Sequence, residues 1–149
     1  MKVIYKYVLV IAWMTLIFFL SAEGAHDSKA RSGVIVGVLK DSLSVDFAED
    51  FLSFLTRKAA HIIAYFVLGL LLYSVIKTHK LTSKRTIMLS ILCAFLYAVS
   101  DEIHQLFIPG RSGEIRDVFI DTASASTGVY LYYLCNKIHY TSTKRKHSV

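Results

Sequence analysis

The chain has 149 residues, 54% of them hydrophobic, with 17 Lys and Arg against 11 Asp and Glu and a formal net charge of +6; its mean hydropathy is +0.49. That length allows one domain, spanning 1–149, and the apolar content excludes an ordinary soluble one. Excess positive charge can serve nucleic acid, but these basic residues fall in short clusters between apolar runs rather than on one face, so no nucleic-acid partner is expected.

The first apolar run, Val3–Ala22, follows Lys2. Its apolar stretch exceeds the usual signal-peptide core of about 7–15 residues, so we read a retained membrane span, although Ser21-Ala22-Glu23-Gly24-Ala25 resembles a weak cleavage site. The segment 23–56 begins polar, and from Val34 apolar residues return with helical spacing: Ile35, Val38, Leu39, Leu43, Phe47, Phe51, Phe54 and Leu55. Acids and Lys40 fall between them, which predicts amphipathic helical segments lying at the membrane surface or on the bundle's own end.

Three more apolar runs follow: Ala59–Ile76, Thr86–Phe107 and Val118–Leu134. A hydrocarbon core of about 30 Å needs roughly 20 helical residues. The second run reaches that length only with Arg57 and Lys58 at its mouth, the third only with Asp101, Glu102, His104 and Gln105 inside the helix, and the fourth only with Asp117 at its start. The expected fold is therefore all-α, a four-helix transmembrane bundle with spans near 3–22, 58–76, 86–107 and 117–134 and amphipathic helical segments in the outer loop between the first two. Cys93 and Cys135 lie within apolar runs and have no CxxC neighbour, so they read as small hydrophobes.

Charge placement orients the bundle. The connection 77–85 carries Lys77, Lys80, Lys84 and Arg85 with no acid, the tail carries Lys137, Lys144, Arg145 and Lys146, and the N-terminus carries Lys2 and Lys6. By the positive-inside rule these segments face the cytoplasm, and an even number of spans puts both termini there too. The expected location is the cell membrane, multi-pass.

That topology collects Lys58, His61, Tyr65, Asp101, Glu102, His104, Gln105, Arg111, Arg116, Asp117 and Asp121 at the outer end. An ionisable group inside a span costs roughly 2.5–3.5 kcal/mol, so it usually faces the bundle interior and has a task. Helical spacing lets Lys58, His61 and Tyr65 share one face, as it does Asp101, His104 and Gln105, and also Asp117 and Asp121. Ser124, Ala125 and Gly128 continue the last face as a stripe of small residues suited to close helix approach. The Pro109-Gly110 turn sets Arg111 and Arg116 over the mouth, where their planar forks suit phosphate or carboxylate. The structural alternative is that these groups simply pair and pin three helices together.

The run Arg57-Lys58-Ala59-Ala60-His61 through Tyr65 to Gly69, and Ser100-Asp101-Glu102-Ile103-His104-Gln105 through Pro109-Gly110-Arg111 to Arg116-Asp117 and Asp121, resemble the signatures of the VanZ-like family. Ser21, Ser28 and Ser32 match its serine-containing first loop more loosely, and the fourth helix lacks a Gly where the pattern places one before Gly128. The resemblance covers nearly the whole chain. It implies a small membrane protein of the cell envelope like the teicoplanin-resistance protein, whose antibiotic acts on cell-wall precursors outside the membrane.

From these readings we expect a polar site at the extracellular face that binds or modulates an anionic lipid headgroup, a cell-wall precursor or a lipoglycopeptide antibiotic. The partners would be the bilayer and a lipid-linked precursor or glycopeptide. The alternative is a membrane-embedded hydrolase or transferase, metal-assisted or not, acting on a lipid-linked phosphate. The His and carboxylate side chains suit acid–base work, yet no HExxH or GxSxG motif is present, so no catalytic residue is assigned, and no resident metal or cofactor is expected. Proton-coupled transport finds no polar path through the other half of the bundle.

Overall fold

The computed structural model describes residues 3–22, 49–109 and 113–146. These form α1 (Ile4–Ser21), α2 (Glu49–Ile76), a single 3-10 turn (Lys77–His79), α3 (Ser83–Gln105) and α4 (Ile115–Lys146), with no strand among the described residues. The all-α bundle is thus as its sequence predicts. The expected amphipathic stretch from Val34 to Phe47 lies outside the described residues.

Apolar side chains at almost every position of α1 leave Ile4, Val8, Ile11 and Phe19 exposed, as a lipid-facing helix requires. Its inner side is tied by single polar handles: Trp13 Nε1 donates to Ala64 O at 2.9 Å, Tyr97 OH to Met14 O at 2.6 Å, and Lys6 Nζ to Ser74 O at 3.1 Å.

Helix α2 has 28 residues, about 42 Å at ~1.5 Å per residue. The span and the turns before it are therefore one continuous helix from Glu49, where the sequence pattern predicts a separate surface helix. No Gly or Pro interrupts 49–68, so helix, once begun, propagates through the junction. It ends at Ile76, and the 3-10 turn that follows closes at Lys80, whose φ of 55° lets its amide reach Lys77 O at 3.2 Å. Thr82 then caps α3, its hydroxyl accepting from Arg85 N at 3.4 Å. At the other end of α3 the amides of Leu106, Phe107 and Ile108 bond back three residues, and the following Pro109 has no amide with which to continue.

Helix α4 continues well past the expected end near residue 134, to Lys146. Helices α1, α2 and α3 contain stretches long and apolar enough to cross a membrane, Ile4–Ser21, Leu55–His79 and Ser83–Gln105. Helix α4 is diluted by Thr122, Ser124, Ser126, Thr127 and four tyrosines. The hydroxyls of Ser124, Ser126 and Thr127 donate to carbonyls one turn earlier, which satisfies them without a partner helix. It still packs along α2 and α3, and α2–α4 is the most extensive helix pair of the bundle.

Glycine makes that pair close. A Cβ on Gly69 would sit 2.8 Å from Ala125 C and nearer still to its carbonyl oxygen, and one on Gly128 would meet Phe66 O. The small-residue stripe expected on the fourth helix is therefore the contact surface, with Gly69 as its counterpart on α2. Close packing is kept despite the later position of the glycine. Tyr65, Leu68, Ala94, Ala98, Ala125 and Val129 fill the centre, all fully buried.

Candidate functional site

Three helices bring their polar faces together at one end of the bundle. On α2, Lys58, His61 and Tyr65 descend a single face. On α4, Asp117 and Asp121 stand one turn apart and oppose the first two: Lys58 Nζ donates to Asp117 Oδ2, and His61 Nδ1 lies 3.6 Å from Asp121 Oδ2. The second separation exceeds a hydrogen bond and is an ion pair only when the imidazole carries a proton. One rung deeper, the fully buried Tyr65 donates its hydroxyl to Asp101 Oδ2 of α3 at 3.3 Å, and its ring stacks with His61, centroids 6.3 Å apart.

A second network closes the site on its α1 side. Gln105 Nε2 donates to Ser21 Oγ at 2.9 Å and to Glu102 Oε1 at 3.3 Å, while Glu102 Oε2 accepts the Glu114 amide at 2.8 Å. Glu102 thereby joins the end of α3 to the residue that leads into α4. Gly113 permits this, since a Cβ there would stand 2.8 Å from the Glu102 carbonyl oxygen. Ser21 is fully buried and also neighbours the Asp101 carboxylate.

Acid outweighs base inside. Asp101, Glu102 and Asp121 are at most 6% exposed, and together with Asp117 they lie close enough to repel one another. Among the described residues, Lys58 faces Asp117 and His61 faces Asp121. Asp101 Oδ1, Asp117 Oδ1, Asp121 Oδ2, His104 Nδ1 and Arg57 Nε are buried with no hydrogen-bond partner among the described residues. Buried acceptors of this kind are uncommon in folded proteins and call for a reason. No three His, Cys, Asp or Glu side chains among the described residues are arranged to hold a metal ion.

Of the residues expected at this end, Lys58, His61, Tyr65, Asp101, Glu102, Gln105, Asp117 and Asp121 join these networks. His104 turns instead toward α1 and stacks flat on Phe18, centroids 4.0 Å and planes 18° apart. Arg116 is exposed and pairs with Glu114 at 2.8 Å, two residues away, rather than reaching inward. Arg111 lies outside the described residues. Phe18 and Glu114 carry no sequence signal for their roles, because an apolar residue in an apolar run and an acid in a loop look ordinary. For Ser21, the sequence offers only a polar residue closing a hydrophobic run.

A bundle of apolar helices with buried ionisable groups gathered at one end defines a small integral membrane protein built around a polar site. The sequence model of the VanZ/LLP1 family matches residues 6–136, and the chain belongs to that family. Searches among curated proteins and among solved structures return no match.

Proposed function

We propose that the chain crosses the cell membrane four times with both termini in the cytoplasm, and that its polar end binds the head of a lipid-linked molecule at the outer face. The orientation rests on Lys77, Lys80, Lys84 and Arg85, which lie at the opposite end of α2 and α3 from the acids and have no acid among them.

The binding reading is carried by one observation: carboxyl groups from two helices gather where Lys58 faces Asp117 and His61 faces Asp121, and Asp101 Oδ1 and Asp117 Oδ1 are buried with no hydrogen-bond partner among the described residues. Such an interior accepts hydrogen bonds. Of the heads considered, one rich in hydroxyl and amine donors fits it better than a bare anion. A lipid-linked cell-wall precursor or a lipid-anchored glycopeptide such as teicoplanin is of that kind, with any phosphate left to Arg116 at the rim.

The test is binding of a fluorescent lipid-linked disaccharide-pentapeptide, and separately of teicoplanin, to protein in nanodiscs. Asp101→Asn should weaken one of them about tenfold, the weight of a charge-assisted hydrogen bond. Equal binding by wild type and variant, or none by either, sinks the proposal. The His61–Asp121 pair favours a second reading, a base oriented by a carboxylate in a membrane-embedded hydrolase or transferase. Phosphate released from a lipid-linked phosphate by wild type and not by His61→Gln would decide for it.

A further inference from the structure

Toward the basic end, the bundle carries an apolar groove that contains none of the ionisable residues of the polar end. This groove of about 640 Å³ is lined along α3 by Arg85, Met88, Leu92 and Phe95, with Leu81 just before the helix and Thr122 of α4 also in its lining. Most of a transmembrane surface is convex and apolar. This stretch is hollow, and a cation, Arg85, is among its lining residues.

Three observations identify what would fill it. Its lining is almost wholly apolar. From Arg85 to Phe95 is ten residues, about 15 Å of helix, and one leaflet of a bilayer core is about 15 Å deep. The Arg85 guanidinium makes no ion pair or hydrogen bond among the described residues, and exposed Lys80 and Lys84 stand beside it with no acid in 77–85. A groove one leaflet deep with an unpaired guanidinium at the headgroup level matches a single phospholipid molecule. In such a site an acyl chain would lie along Met88, Leu92 and Phe95, and the phosphate would take the planar fork of Arg85.

We propose that this groove is a binding site for one anionic phospholipid of the leaflet at the basic end. The volume falls within the range of small-molecule pockets, about 300–1,000 Å³. Arg85 supplies headgroup selection and the groove supplies retention, so the two contributions separate by mutation.

Native mass spectrometry of the detergent-solubilised chain, titrated with phosphatidylglycerol or phosphatidylcholine, reads the site directly. Wild type should retain one phosphatidylglycerol at about five- to tenfold lower concentration than phosphatidylcholine. Arg85→Gln should erase that preference while some lipid is still retained, and Leu92→Trp, which fills the groove, should reduce retention of both. Lys137→Gln, an exposed basic residue on α4, should change neither. Equal retention of the two lipids by wild type overturns the proposal, as does an unchanged preference in Arg85→Gln. A lipid-free dimer that Leu92→Trp dissociates also overturns it, since the groove would then be a contact between two copies. None of these outcomes depends on what the polar end binds.

Discussion

Replacing Gly69 by Ala puts a methyl group against the backbone of α4 at the tightest point of the bundle. The added carbon would lie 2.8 Å from Ala125 C and 2.9 Å from its Cα, closer still to its carbonyl oxygen. Comfortable carbon contacts begin near ~3.5 Å, so the helices must part by roughly an ångström. Two effects compete. Alanine raises helix propensity by about 0.5–1 kcal/mol relative to glycine, whereas overpacking costs about 1–3 kcal/mol, and a backbone cannot swing aside as a side chain can. The steric term wins, and a net loss of about 2 kcal/mol is expected. Unfolding of the micelle-bound protein with increasing dodecyl sulfate measures it, followed by fluorescence of the single Trp13, which bonds to Ala64 on the same helix as Gly69. Ala123→Gly, at an exposed position of α4, calibrates propensity alone. Gly69 sits two to three turns below His61, so a displaced α2 should also weaken binding at the polar end. A Gly69→Ala protein as stable as wild type would refute the close crossing and the geometry built on it.

Lys58→Met should cost about 1–3 kcal/mol, and pairing it with Asp117→Asn should recover part of that loss; additive effects in the double-mutant cycle would mean the two do not interact. Ser21→Ala and Gln105→Leu should each loosen α1 by about 1 kcal/mol and enhance amide exchange near the end of α1, whereas unchanged exchange would remove the strap from α1 to α3. His104→Phe keeps the stack on Phe18 and should retain stability where His104→Ala loses about 0.5–1.5 kcal/mol; equal losses would show that the imidazole nitrogens, not the stacked ring, hold that position.

How far the sequence could be read varies with the range of the interaction involved. Helices α1, α2 and α3 announce themselves because membrane insertion demands a long apolar run, which is a local property. The facing of Lys58 and His61 toward Asp117 and Asp121 was half legible: spacing puts each pair on one face, but only packing decides which faces meet. Gly69 shows the limit. Its role depends on Ala125, more than fifty residues away, and a lone glycine in an apolar run signals nothing by itself. That the span continues unbroken back to Glu49 is not legible, because amphipathic spacing alone does not distinguish a helix lying on the surface from the first turns of a helix entering the membrane. His104 and Arg116 were placed by chain position at the mouth, yet aromatic stacking and a near neighbour of opposite charge draw their side chains elsewhere.

The charge imbalance at the polar end also separates a binding site from mere pinning. If the acids served only to hold helices together, neutralising one would cost stability. Asp101→Asn is the informative case, because its remaining carbonyl oxygen can still accept from Tyr65 while the repulsion from its acidic neighbours is removed. For a site kept acidic in order to receive donors, the empty variant should be more stable by about 0.5–2 kcal/mol, the usual signature of function held at the expense of stability. The wild type should regain the difference only with ligand present, by about 2.7 kcal/mol at a hundred times its dissociation constant. Thermal unfolding of both proteins in nanodiscs, with and without the lipid-linked disaccharide-pentapeptide or teicoplanin, tests this. An Asp101→Asn protein less stable than wild type in the empty state would assign the carboxylate to pinning, and the polar end would then be a clasp between helices.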